Sequence, residues 1–156
     1  MSDLVALADW RRRVHELYAA VRDLARSDPV AAHAAWRAGR DELFRDHPQT
    51  PLLEPSARAA FAGLRYFPYD PAFRFSTVLE PLVGRPAEVP TSDGAAMRFE
   101  LIGHVTLPIG RLAVEWLPAY AGGIFLAFRD GTSGRATYGG GRYLLDTAKG
   151  ADLGLD

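Results

Sequence analysis

Apolar residues near the start of the chain recur at alternating steps of three and four. Leu7, Trp10, Val14, Leu17, Val21 and Leu24 therefore share one face of a helix. Arg11, Arg12, Arg13, Glu16, Arg22 and Asp23 cover much of the opposite face. Ser2 is placed to cap this helix, with Asp3 in its first turn. The pattern predicts buried Leu7, Trp10, Val14, Leu17 and Leu24 and exposed Arg12 and Glu16. Asp28-Pro29 reads as an N-cap followed by proline at the first helical position. A second helix then runs to about Arg45, with Val30, Ala34, Leu43 and Phe44 as its apolar contacts, and His47-Pro48 and Pro51 end it. A short third helix follows Ser56.

Beyond residue 60 the period changes to two. Met97, Phe99 and Leu101 alternate with Arg98, Glu100 and Ile102. After a turn at Pro108 to Arg111, Leu112, Val114 and Trp116 alternate with Ala113, Glu115 and Leu117. This predicts a β-hairpin with Phe99, Leu101, Val114 and Trp116 facing inward, and His104 on the face of Arg98 and Glu100. Arg65 to Tyr69, Phe73 to Leu79, Ile124 to Phe128 and Arg142 to Leu145 are further candidate strands. Pro86 and Pro90 reduce the segment between them to an edge or a loop. Pro118 to Gly123 is a connection. The expected fold class is α+β: N-terminal helices, then an antiparallel β-sheet or small β-barrel, in one domain over residues 1–156 with a helical segment to 60 and a β-rich body from 61.

Between the last two candidate strands lies a loop dense in chemistry. Arg129, Asp130, Thr132, Ser133, Arg135, Thr137, Tyr138 and Arg142 are interleaved with glycines at 131, 134, 139, 140 and 141. In one explanation, backbone amides near Gly131 to Gly134 form an anion-binding nest, with arginine supplying bidentate contacts. In the other, the loop is a tight hairpin in which Asp130 and Thr132 satisfy local donors and Arg142 pairs with Asp130. The segment is neither a Walker loop nor a dinucleotide fingerprint, because it has no Gly-Lys-Ser/Thr and a strand, not a helix, follows it.

The run Phe-x-Asp-x-Thr-x-Gly-x-x-Thr-Tyr-x-x-x-Arg-Tyr from Phe128 to Tyr143 resembles the hallmark of domain-of-unknown-function family 1684, found in bacteria and archaea. Trp36-Arg37 with Arg40 to Phe44, Phe61 to Phe67, and Pro90 to Gly94 agree with it, so the resemblance covers about residues 30 to 146. It implies no activity. It does imply an Asp-Phe-Asn segment and a Cys- and Pro-rich block further on. The sequence ends at Asp156 without them, which reads as a truncated or divergent member.

Composition narrows the partners. The 156 residues are 48% hydrophobic with a net charge of −1, which gives no basic field for nucleic acid. Of 18 basic residues only Lys149 is lysine, a bias read as GC-rich coding. Cysteine is absent, so this sequence offers no thiolate ligand and no thiol nucleophile. No run approaches the roughly 18 apolar residues that span a bilayer, and no signal peptide is read at the N-terminus. The expectation is a soluble, cytoplasmic bacterial protein. His15, His33, His47 and His104 lack ligand spacing, so neither metal nor cofactor is expected.

The leading functional expectation is a small anionic ligand held by Arg129, Asp130, Thr132, Thr137, Tyr138 and Arg142. A first alternative is a hydrolase-type enzyme using Asp130 with Tyr138 or His104. A second is an interaction module whose first helix pairs with that of another copy. The aromatics Tyr66, Phe67, Tyr69, Phe73 and Phe75 fill a core or line a pocket mouth.

Overall fold

A computed structural model describes residues 3–90, 96–118 and 122–147, with backbone alone for 89–90 and 145–147. Ser2, residues 91–94 of the family motif and part of the 118–123 connection lie outside the described residues. The chain divides into two compact units, Met1–Pro71 and Ala72–Ala148, taken over their described residues.

The first unit holds α1 (Asp3–Leu24), α2 (Pro29–Asp46) and α3 (Pro55–Ala59). α2 begins as expected. The Asp28 carboxylate accepts the Ala31 amide at 2.9 Å, and Pro29 needs no partner for a missing N–H. It ends at His47, whose amide still reaches the Leu43 carbonyl before Pro48 breaks the pattern. α1 and α2 pack together, and Gly39 makes the approach close. A Cβ there would stand 2.6 Å from a methyl of Leu17, so glycine's helix penalty of about 1 kcal/mol is accepted in exchange for contact.

The seam along α1 is buried less than its period implies. Trp10, Val14, Leu17 and Val21 are half-buried, Ala6 is the buried residue, and Leu7 and Leu24 are exposed. Arg12 and Glu16 are exposed, as expected. In α2, Ala32 and Leu43 are buried, whereas Val30 and Ala34 are exposed.

The second unit is an open antiparallel meander of β1 (Glu80–Pro90), β2 (Ala96–Leu107), β3 (Gly110–Trp116), β4 (Gly123–Phe128) and β5 (Arg142–Thr147), in the order β1-β2-β3-β4-β5. The segment carrying Pro86 is a strand, and it lies on the sheet edge, where proline's missing donor costs no ladder bond. The β2–β3 hairpin forms as the alternation demands, closing at Leu107 opposite Gly110.

The register carries a feature that alternation cannot show. A bulge between Leu101 and Gly103 leaves Ile102 as an extra residue. Leu101 then opposes Glu115, and His104 opposes Ala113, two positions on one face of β3. His104 thus joins the face of Phe99 and Leu101 and is half-buried, not on the face of Arg98 and Glu100. Val105 and Val114 are buried toward the other face, and Trp116 on that side is 41% exposed, where an inward side chain was expected.

Two expected strands are absent. Residues 61–70 have no regular structure and Pro71–Phe73 is a 3₁₀ turn, after which the chain stays irregular to Leu79. Pro68 and Pro71 interrupt what the aromatics' β-propensity favours.

Candidate functional site

β4 and β5 pair through to Phe128 opposite Arg142, so the loop 129–141 closes between two registered strand ends. Asp130 begins an Asx turn, with its Oδ1 accepting the Thr132 amide at 2.8 Å and the Thr132 hydroxyl at 2.5 Å. The Thr132 carbonyl then accepts the amides of Arg135, Ala136 and Thr137, each at 3.0 Å. Gly134, at φ 79°, donates to the Thr137 carbonyl. Thr132 and Thr137 meet hydroxyl to hydroxyl at 2.9 Å. A hydroxyl has one proton, and that of Thr132 is given to Asp130, so Thr137 donates to Thr132.

Arg142 closes the network from β5. Its Nη2 donates to Asp130 Oδ2 and lies 3.5 Å from the Thr132 hydroxyl. Its guanidinium carbon sits 4.9 Å from the centre of the Phe128 ring, a cation–π contact set by the strand register. Gly141, at φ 107°, lets the chain turn into β5; a Cβ there would stand 2.9 Å from the Phe128 carbonyl oxygen.

Of the residues singled out by sequence, Asp130, Thr132, Thr137 and Arg142 form one network. Arg129 is exposed beside it, its stem against Gly141. Tyr138 is 76% exposed, its ring against Gly140. His104 lies on β2, separated from β4 by β3. Phe128 and Ser133 also take part, although neither is among the six residues expected to hold a ligand. Ser133 donates its amide to the Asp130 carbonyl, and its hydroxyl accepts the Asp130 amide at 3.3 Å. The amides of Thr132, Ser133 and Gly134 are all used within the loop. Side chains, not a nest of free amides, are therefore what this turn offers a ligand.

The Thr132 hydroxyl first, then its amide and Arg142, hold the Asp130 carboxyl below its ordinary range. A depressed carboxyl stabilises the fold above its unfolded pKa of about 3.9, and the contribution is lost as pH falls through the folded value. Asp9, held down chiefly by His47, and Glu80, held down chiefly by the Thr106 hydroxyl, act in the same direction. Burial raises Glu115, so its unfavourable charge is relieved by acid instead. Three of the four shifted carboxyls act in the first direction. The melting temperature is expected to fall between about pH 5 and pH 3, and Asp130→Asn is expected to shrink that fall. A melting temperature that rises on acidification would contradict these assignments.

The family described as "Protein of unknown function (DUF1684)" matches residues 59–156, and the chain belongs to it. The match includes the whole loop and the sheet. It leaves outside the Trp36 to Phe44 stretch that also resembled the family. No curated protein matches the chain. Among the described residues, no helix is long and apolar enough to cross a membrane, and no group of acidic and histidine side chains is arranged to hold a metal ion.

Proposed function

We propose that this member of the DUF1684 family binds a small anionic molecule at the loop from Arg129 to Arg142. Arg129 and Arg142 are the charged contacts and the Tyr138 hydroxyl is a further donor. Asp130, Thr132 and Thr137 form the frame that holds Arg142 in position. The observation that carries this reading is a cationic excess on a pinned loop. Arg129, Arg135 and Arg142 stand against the single carboxylate of Asp130, whose oxygens are engaged by Thr132 and Arg142. Arginine presents its donors in a planar fork that suits carboxylate and phosphate. A guanidinium already oriented by Asp130 and Phe128 loses less freedom on binding than a mobile one.

Thermal melts in increasing phosphate, and separately in increasing citrate, test it. A ligand at about one hundred times its dissociation constant adds about 2.7 kcal/mol. Arg129 and Tyr138 are exposed, so Arg129→Gln and Tyr138→Phe are expected to keep the fold and to weaken the anion response. If the unmodified protein shows no response to any anion tried, the loop is architecture and the proposal fails.

A further inference from the structure

The first unit carries a second cationic group that the loop does not explain. Trp36, Arg37 and Arg40 come from α2, and Tyr66 comes from the irregular stretch after α3. The rings of Trp36 and Tyr66 meet at 4.8 Å between centroids. Arg37 lies 5.6 Å over Tyr66, while Arg40 lies 5.1 Å from the Trp36 ring and 5.7 Å from that of Phe44. Arg40 Nε donates to the Tyr66 hydroxyl oxygen at 2.7 Å. All four residues are half-buried.

Arg40 Nε is engaged by Tyr66, and the other guanidinium N–H groups of Arg37 and Arg40 have no protein acceptor among the described residues. Among the described residues neither guanidinium is in an ion pair. Asp41, the adjacent acid, accepts the Leu64 amide at 2.8 Å. Desolvation raises the Tyr66 phenol, which therefore keeps its proton, and that O–H has no acceptor among the described residues. Cation–π contacts hold the two guanidinium groups in place but neutralise neither charge. Arg37 and Arg40, three residues apart on α2, bring two positive charges to Tyr66, and an oxyanion is the group that can accept from both.

We propose that Arg37, Arg40 and Tyr66 form an oxyanion site that takes the carboxylate or phosphate group of a small molecule. The remaining guanidinium N–H groups and the phenol O–H are its donors. The guanidinium groups lie over the rings, so the site reads the anionic head and not an aromatic body.

The test is a titration of the full chain with inorganic phosphate and, separately, with acetate, followed through the arginine Nε–Hε resonances by NMR. Saturable shifts at Arg37 and Arg40 are expected. A response to phosphate alone identifies a phosphate ligand, a response to acetate alone a carboxylate ligand, and either supports the site. Arg37→Gln is expected to weaken binding about tenfold, the worth of one charge-assisted hydrogen bond. Tyr66→Phe keeps the ring and its cation–π contact and is expected to weaken binding severalfold. Arg129→Gln, in the other unit, is expected to leave these shifts unchanged. The proposal is overturned if neither anion gives saturable shifts at Arg37 and Arg40 in the unmodified protein. It is also overturned if folded Arg37→Gln and Tyr66→Phe bind as well as the parent.

Discussion

Replacing Phe99 with alanine is expected to cost about 3–5 kcal/mol, the largest loss foreseen for a single side chain in this protein. Phe99 is 5% exposed, in the first half of β2. Its ring stacks on Phe125 of β4 at 4.8 Å, and Phe125 meets Tyr143 of β5 at 5.1 Å. Glu115 of β3 stands between Leu101 and Phe125 in the register, half-buried, and its raised pKa reflects the same dry environment. The row thus joins strands that do not pair directly. Among the described residues of this sheet, few hydrophobic side chains are as deeply buried: Phe99, Val105 and Val114 on the strands, with Leu117 just after β3. Removing one of them takes a large share of the core, and among the described residues there is no second layer of strands to collapse into the void. Urea unfolding is the measurement, with the midpoint expected to fall at unchanged slope. Tyr143→Ala, at a ring 59% exposed, is expected to cost far less. Equal losses at both positions would show that the row is not organised around Phe99.

Elements specified by neighbouring residues were legible in the sequence. The start of α2 follows from Asp28-Pro29 and its end from His47-Pro48, because cap and stop are decided within four residues. The hairpin follows from strict alternation. Within the loop, the bonds among Asp130, Thr132 and Thr137 follow from Asx-turn chemistry at a separation of a few residues.

What was not legible depends on distant partners or on a single inserted residue. The bulge at Ile102 moves His104 to the other face, yet it leaves alternation on both sides intact. The aromatics between 65 and 75 have strand propensity, but Tyr66 and Tyr69 meet Trp36 and His33 of α2 instead. The seam on α1 gave the right face and overstated its burial, since period fixes direction and not the reach of what lies opposite. The stacking of Arg142 on Phe128 required the β4–β5 register, which no local pattern supplies.

Replacing His47 with alanine is expected to cost about 3 kcal/mol. A stranded buried donor accounts for about 1–3 kcal/mol of this, and the void left by the ring for the remainder. His47 is 4% exposed and binds parts of all three helices. Its Nδ1 accepts the Gln49 amide at 3.0 Å, so the neutral ring carries its proton on Nε2 and donates it to Asp9 of α1 at 3.1 Å. Trp10 of α1 meets the ring edge-on at 5.1 Å. The His47 carbonyl accepts the Thr50 amide and, at 2.6 Å, Arg58 of α3. With both ring nitrogens engaged, the imidazole has no free lone pair and acts as a tie between the helices. Asp9 is partly solvated and keeps Arg13 as a neighbour at 3.0 Å, so Asp9→Asn is expected to be much milder than His47→Ala. Urea unfolding of the two variants decides between packing and charge. If Asp9→Asn proves as damaging as His47→Ala, the Asp9 carboxylate with its bonds to His47 and Arg13, and not the buried ring, holds the three helices together.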